Sequence, residues 1–512
     1  MAVNQLKAGA LLSYVSIGLN NIIGLLYTPF MLRMMGQTEY GLYALVASVV
    51  SYLTVLDLGF GNAVIRYTAK YRAEGKVREQ YEMFGMFFLV YVVIGFIALI
   101  VGGILCCNVD TLFDRTMSVT ELHKIRIMMI LMIMNIAFTF PMSIWGSIVT
   151  AYEQFIFSKL VNIVRVILNP IAMIVMLYMG YRAIGMVVVT TLFNVATLLV
   201  NWWYCRYRLH VHIRFGHFQW GFFKEVSVYS FWIFLNAIMD RIYWSTGQFV
   251  LGMFRGAREV AIYAVAIQLH NIYMGFSLAI FGVLLPKVTK MVALQSSNKE
   301  ISDLFIRVGR IQYAILVFIL LGFILFGKYF LYFWAGAGYV GAYEIALCFF
   351  IPFTVPLMQN TGTVILQAQN RLSFRSIIYV LIALVSFCVS IPLAKLYGGL
   401  GCAVATASCV LLGHVLIMNI YYKRVLHIDI VDFWRNISQM SIVPIGIGGC
   451  FWGGMLFWEP NTIAKLIGEM LLFVACYLPL FWKFSLNSYE KGLVMGPLKQ
   501  CLDKLRKKYN TI

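Results

Sequence analysis

Runs of about twenty apolar residues, repeated along the whole chain, constrain this sequence more than any other feature. At 1.5 Å of rise per residue, a helix of that length spans the ~30 Å hydrocarbon layer of a bilayer. Fourteen such runs can be placed, near residues 11–31, 40–64, 83–106, 125–150, 160–179, 183–204, 226–254, 259–285, 308–330, 341–366, 372–394, 398–420, 438–458 and 462–482. A water-soluble core has no room for them. Of 512 residues, 61% are hydrophobic and 12% charged, against roughly 45–50% and about 25% in ordinary soluble domains. The expected fold is an all-α polytopic membrane protein of about 14 transmembrane helices. Only Lys7 precedes the first run and no small-residue cleavage site follows it, so that run reads as an uncleaved helix rather than a signal peptide.

The formal net charge of +19 would suit a nucleic-acid partner if the basic residues formed a patch. They gather instead in alternate loops between the apolar runs, which is a topology signal, and no nucleic acid is expected. With the N-terminus cytoplasmic, 28 Lys and Arg fall on inside segments and 10 outside, with Arg165 and Arg241 left within helices. Both termini are therefore expected inside. The basic run from Lys499 to Lys508 reads as a solvated tail leaning on anionic membrane lipids. The ten cysteines lie mostly inside apolar runs, with no CxxC pair and no histidine cluster. They read as small packing residues, so no metal site is expected.

Sliding the chain against itself gives matches in nearly one register. Leu32–Gly36 and Leu42–Val46 pair with Leu251–Arg255 and Ile262–Ala266, at offsets of 219 and 220. The segment from Ala183 (AIGMVVVT) pairs with that from Gly399 (GLGCAVAT) at offset 216, and Pro141 with Tyr152 onward pairs with Pro356 and Ala368 onward. Helices 1–6 thus recur as 7–12. Six is even, so the copies are parallel repeats, as in carriers whose substrate site lies between two lobes. The expected divisions are an N-lobe over 1–210, a C-lobe over 211–424, a helix pair over 425–484 and a basic cytoplasmic tail over 485–512.

Ionisable groups within the hydrocarbon are costly and usually face a bundle interior, which makes them site candidates. Asp240 and Arg241 fall near the middle of the seventh run, and Arg165 lies one to two turns into the fifth. Arginine can bind an anionic diphosphate bidentately, with Asp240 orienting it or taking a proton; a structural ion pair is the competing reading. Arg165 is near enough to the cytoplasmic face to snorkel. His270 is either a packing histidine or a proton-coupling group. Asp57 and Arg66 bracket Gly59 and Gly61 at the inner end of the second helix, as a gate, a headgroup contact or a structural cap. Asn20, Asn21, Gln359 and Asn360 could bind sugar hydroxyls, although polar glue between helices is the commoner role of such residues. Trp202, Trp203, Trp334, Trp452 and Trp458 suit an interfacial belt.

Four segments also look familiar: DLGFGNAVIR from Asp57, GAREVAIYA from Gly256, LLPK from Leu284 and YGGLGCAVAT from Tyr397. They resemble the polysaccharide flippase branch of the multidrug/oligosaccharidyl-lipid/polysaccharide exporter superfamily, and the likeness covers nearly the whole chain. The resemblance implies two six-helix lobes around a V-shaped cavity, plus the two extra helices typical of the lipid-linked-sugar branch. It implies export of an undecaprenyl-diphosphate-linked oligosaccharide across the bacterial cytoplasmic membrane, for O-antigen, capsule or a related glycan. Its expected partners are the lipid-linked oligosaccharide, membrane lipids, and a glycan polymerase with its export machinery. No cofactor is expected, and protons or sodium are the candidate coupling ions.

Three alternatives compete, one of them a non-transporting scaffold of a glycan assembly complex. A cation-coupled multidrug exporter of the same superfamily normally stops at twelve helices, so the extra pair argues against it. A glycan polymerase or ligase usually needs a sizeable outside loop with catalytic acids, yet the longest here, Asn108 to Lys124, is short. The acids in it, Asp110 and Asp114, read as solvated. A transporter rather than an enzyme is expected.

Overall fold

The computed structural model describes residues 5–216, 220–294, 297–369, 371–455, 457–493 and 495; the basic run from Lys499 lies outside them. Among the described residues all regular structure is helical. The first six expected segments become α1 (Gln5–Met35), α2 (Gln37–Ser51) with α3 (Phe60–Ala73), α4 (Val77–Cys107), α6 (Val119–Ala151) after the short α5 (Val109–Phe113), α7 (Phe155–Tyr178) and α8 (Ala183–Tyr207). The next six become α9 (Trp220–Phe254), α10 (Ala257–Ala293), α11 (Asn298–Trp334), α12 (Ala342–Met358) with α13 (Asn360–Ala368), and α14 (Leu372–Val410), which runs through a π-helical turn into α15 (Met418–Arg424). The last two are α16 (Ile430–Met455) and α17 (Ile463–Phe484).

Ten of these helical stretches are long and apolar enough to cross a membrane by themselves, and the α12–α13 pair, bent by 45°, makes an eleventh. One of the ten, Ser373–Arg424, holds two expected segments. The chain changes direction inside it at Gly398 (φ 60°, ψ −137°), a conformation that only glycine adopts readily. The second expected helix is not continuous. It narrows to a 3-10 turn over Tyr52–Asp57, and Leu58 and Gly59 are both left-handed before α3 restarts.

Backbone geometry repeats with the sequence. Gly36 (φ 78°) opens α2 and Gly256 (φ 87°) opens α10, 220 residues apart; Gly180 (φ 83°) and Gly398 (φ 60°) precede the sixth and twelfth segments, 218 apart. A glutamate follows each opening glycine by three residues. Glu39 accepts the backbone N–H of Ala183 at 3.4 Å, and Glu259 accepts that of Gly399 at 3.2 Å. A carboxylate on an orphan helix N-terminal N–H is stabilising on both hydrogen-bond and dipole grounds.

The chain forms two compact units, one of residues 1–268 with 378–406, the other of 269–377 with 407–512. In the first, α4 and α6 approach closely: a Cβ on Gly95 would lie 2.8 Å from the Ala137 carbonyl oxygen and one on Gly102 would lie 2.7 Å from Ile133. Without a hydrophobic drive in lipid, such small-residue contacts hold helices together by dispersion. Phe60, Phe84, Phe87, Tyr91 and Trp145 fill the core beside them. In the second unit, Phe305, Phe326, Phe433, Phe473 and Tyr477 join α11 to α16 and α17. There Arg310 bonds both carboxylate oxygens of Glu490 at 2.6 and 3.0 Å and the Ser485 carbonyl at 3.1 Å. That buried, fully bonded pair ties the segment after α17 to α11.

Candidate functional site

Helix α9 carries the two charges that the sequence places near the middle of the seventh apolar run. Asp240 and Arg241 are both exposed on the first unit. Asp240 Oδ1 accepts the Tyr379 hydroxyl of α14 at 2.6 Å. Tyr379 also lies against Tyr243, one turn along α9, with ring centroids 5.9 Å apart. Among the described residues no ion pair joins Asp240 to Arg241. The carboxylate is thus held by a phenol and not by the guanidinium next to it. Tyr379 was not among the sequence candidates. It lies 139 residues from its partner, and no local spacing announces it.

One turn further on, α9 turns a polar edge toward α2. Ser245 meets Ser51 at 2.8 Å and Thr246 meets Tyr52 at 2.9 Å. Ser245 and Thr246 are buried, so this seam of hydroxyls satisfies itself between the first and second repeats. Asp57 follows the same stretch, half-buried at the end of the 3-10 turn, and Arg66 lies exposed in α3 with its guanidinium 5.7 Å from the centre of the Tyr67 ring. The structure therefore places Asp57 and Arg66 on opposite sides of a backbone break.

Arg165, Asn20 and Asn21 share one helix pair. A Cβ on Gly9 of α1 would meet Phe155 of α7, and Ser16 accepts from Asn162 at 2.8 Å, seven residues on in both helices. The helices run parallel in step, which sets half-buried Arg165 at the level of residue 19, beside the exposed Asn20.

Gln359, Asn360 and His270 belong to the second unit. Gln359 is 2% exposed at the bend between α12 and α13, and it donates to Asn419 Oδ1 at 2.9 Å. Trp434 of α16 donates to the same oxygen at 3.2 Å, and Asn360 donates to Ser277 at 3.4 Å. Gln359 is occupied in joining helices. His270 is wholly buried, with Phe353 edge-on at 4.6 Å and Phe349 at 5.7 Å.

The site residues thus form three groups: Asp240 and Arg241 with Tyr379, Arg165 with Asn20 and Asn21, and Gln359 with Asn360. The long apolar helices define a multi-pass helical membrane protein. The chain belongs to the polysaccharide biosynthesis protein family, whose model matches residues 6–292. It is similar to a Shigella flexneri protein named for O-antigen transport, 21% identical over 414 residues, covering 77% of this chain and 92% of that protein. Among solved structures it is similar to the lipid II flippase MurJ in an inward closed conformation, with a TM-score of 0.70 at 16% identity over 92% of this chain and 97% of that one. An inward-facing multidrug resistance MATE transporter of the MOP superfamily matches with a TM-score of 0.57 at 12% identity, over 79% of this chain and 99% of that one. These two likenesses are likenesses of fold.

Proposed function

We propose that the chain is a flippase carrying an undecaprenyl-diphosphate-linked oligosaccharide across a bacterial cytoplasmic membrane by alternating access, for O-antigen, capsule or a related glycan. Both termini are cytoplasmic in this reading, and the glycan is passed to a polymerase and export machinery on the far side. The family membership and the O-antigen relative support the substrate class, and the superfamily fold supports the transport cycle.

The observation that carries the reading is Arg241. A diphosphate cannot cross a low-dielectric layer uncompensated, and a fixed guanidinium lowers that cost. Asp240, held by Tyr379, orients the helix face without neutralising the arginine. Replacing Arg241 with Ala is expected to abolish glycan export while the protein stays in the membrane; Lys restores part of it, because it keeps the charge but not the fork. Normal export by Arg241→Ala at normal protein level would end the cationic-site reading and make Arg165 the residue to test.

Topology has its own check. Alkaline phosphatase fused after Arg115 or Arg255 is expected to be active, and fused after Arg72 or Arg208 inactive. The reverse pattern would place the termini outside.

A further inference from the structure

The second apolar stretch carries a carboxylate at the point where its helix is broken. Asp57 closes the 3-10 turn, and Leu58 (φ 53°) and Gly59 (φ 73°) follow it in the left-handed region before α3 begins at Phe60. A leucine there is strained, because its Cβ crowds the next carbonyl oxygen, and such strain persists only where the surroundings impose it. The stretch Gln37–Ala73 is long and apolar enough to cross a membrane, so a carboxylate within it needs a counter-charge or a proton. Among the described residues no ion pair includes Asp57. The groups that act on it are the phenol of Tyr91 and the Gly59 N–H.

Tyr91 of α4 is wholly buried. Its hydroxyl is close enough to Asp57 and to Ser143 of α6 to interact with both, yet too far or too oblique to complete a hydrogen bond to either. Ser147 lies one turn beyond Ser143, and both serines donate along their own helix, Ser143 to the Phe140 carbonyl at 2.7 Å and Ser147 to the Ser143 carbonyl at 3.5 Å. What these hydroxyls have left to offer is oxygen lone pairs. Gly61 gives them room: a Cβ there would stand 3.2 Å from Ser147 Oγ and 3.7 Å from the Tyr91 hydroxyl. Oxygens that approach without bonding one another are what a hard cation gathers. At a metal–oxygen distance of about 2.4 Å, neighbouring ligands stand roughly 3.4 Å apart, beyond an ordinary hydrogen bond.

From this we infer that the break in the second helix is a binding site for a monovalent cation of sodium's size, held by the Asp57 carboxylate and the hydroxyl oxygens of Tyr91, Ser143 and Ser147. One carboxylate balances one positive charge, whereas a divalent ion leaves net charge in the bilayer. A proton fits less well, because a protonated Asp57 would bond to Tyr91 and close the contact that stays open. The remaining ligands are carbonyls at the end of the 3-10 turn, which a helix that stops leaves without intrahelical partners. The site is built of oxygens alone, apart from the cysteine and histidine chemistry that the sequence excludes. All of its residues belong to the first unit, and the inference does not rest on the proposed function.

The test is thermal unfolding together with binding of radioactive sodium, both on the detergent-purified full chain, in sodium, potassium and choline chloride at equal ionic strength. Sodium is expected to raise the melting temperature above its value in choline. Asp57→Asn keeps the shape and loses the charge; it is expected to weaken sodium binding about tenfold or more and to remove the sodium-dependent rise. Gly61→Ala, which puts a methyl among the oxygens, is expected to do the same, and Ser147→Ala to weaken binding severalfold. Asp240→Asn, at a carboxylate of another membrane helix, is expected to keep the full response. Equal melting temperatures in sodium and choline with no sodium bound would overturn the site, as would a sodium response that Asp57→Asn retains. Stabilisation by acid in place of sodium would overturn it in favour of a protonated Asp57. Should Asp57→Asn fail to fold, Ser147→Ala decides: undiminished sodium binding by that variant would overturn the site as well.

Discussion

The two copies of the repeat are built on one plan and broken in different places. In the first copy the second helix breaks, over Tyr52–Gly59, while the fourth, α6, continues through Pro141. In the second copy the fourth helix breaks, at Gln359 between α12 and α13, while the second, α10, runs unbroken from Ala257 to Ala293. What stays common is the hairpin anchor, a positive-φ glycine followed by a glutamate that holds the N-terminus of the copy's last helix. The ends of the helices are thus conserved in geometry and their interiors are not.

Exchanging residues between copies sharpens the comparison. The largest effect is expected at Gly41, where the second copy has Ala261. A Cβ on Gly41 would overlap the Ala257 carbonyl oxygen, a backbone atom that cannot swing aside. Gly41→Ala is expected to cost about 3 kcal/mol, seen as a large drop in the melting temperature of the detergent-purified protein. The reverse change, Ala261→Gly, should cost about 1 kcal/mol for helix propensity. Equal effects would mean that the α2–α10 approach is not as close as described.

A smaller difference separates the turn glycines. Gly398 has a glycine-only conformation, and its Cβ would stand 3.1 Å from Glu259; Gly180 has nothing within 4 Å. Gly398→Ala is expected to lower the melting temperature more, by about 2–3 kcal/mol of stability against about 1 kcal/mol for Gly180→Ala. The smallest difference is between the anchors themselves. Glu39 is also paired with Lys124, whereas Glu259 has the Gly399 N–H. Glutamine keeps an acceptor for the backbone but drops the charge, so Glu39→Gln should cost about 1 kcal/mol and Glu259→Gln less. A larger loss at Glu259 would reverse the order of importance of the two anchors.

The helices were legible in the sequence because bilayer thickness fixes the length of an apolar run. The repeat was legible too, since words such as LRMMG and LYALV have looser counterparts, LGMFR and IYAVA, in nearly one register. The anchoring glutamates were not, because Glu39 and Glu259 fall in the gap between the matched words and are read only when the backbone shows both on equivalent N–H groups. Gly59 and Gly61 stood out between Asp57 and Arg66, but nothing announced the 3-10 turn that precedes them. Of the candidate polar residues, sequence placed Asp240 and Arg241 at mid-membrane, yet Tyr379, the seam of Ser51 and Tyr52 with Ser245 and Thr246, and the tie from Gln359 to Asn419 all join segments 60 or more residues apart. Pairings at that distance depend on how helices pack, and apolar patterning carries no record of it.

The central claim is that this chain moves a lipid-linked glycan from one leaflet to the other. The most direct measurement uses proteoliposomes holding the purified chain and an undecaprenyl-diphosphate-linked oligosaccharide, with a sugar-modifying enzyme added outside. Without protein, the enzyme reaches only the outer-leaflet half of the lipid. With it, the fraction modified is expected to rise toward completion with time, and Arg241→Ala liposomes should stay at the protein-free level. Modification that never exceeds the protein-free level, in vesicles shown to contain folded protein, would contradict the account.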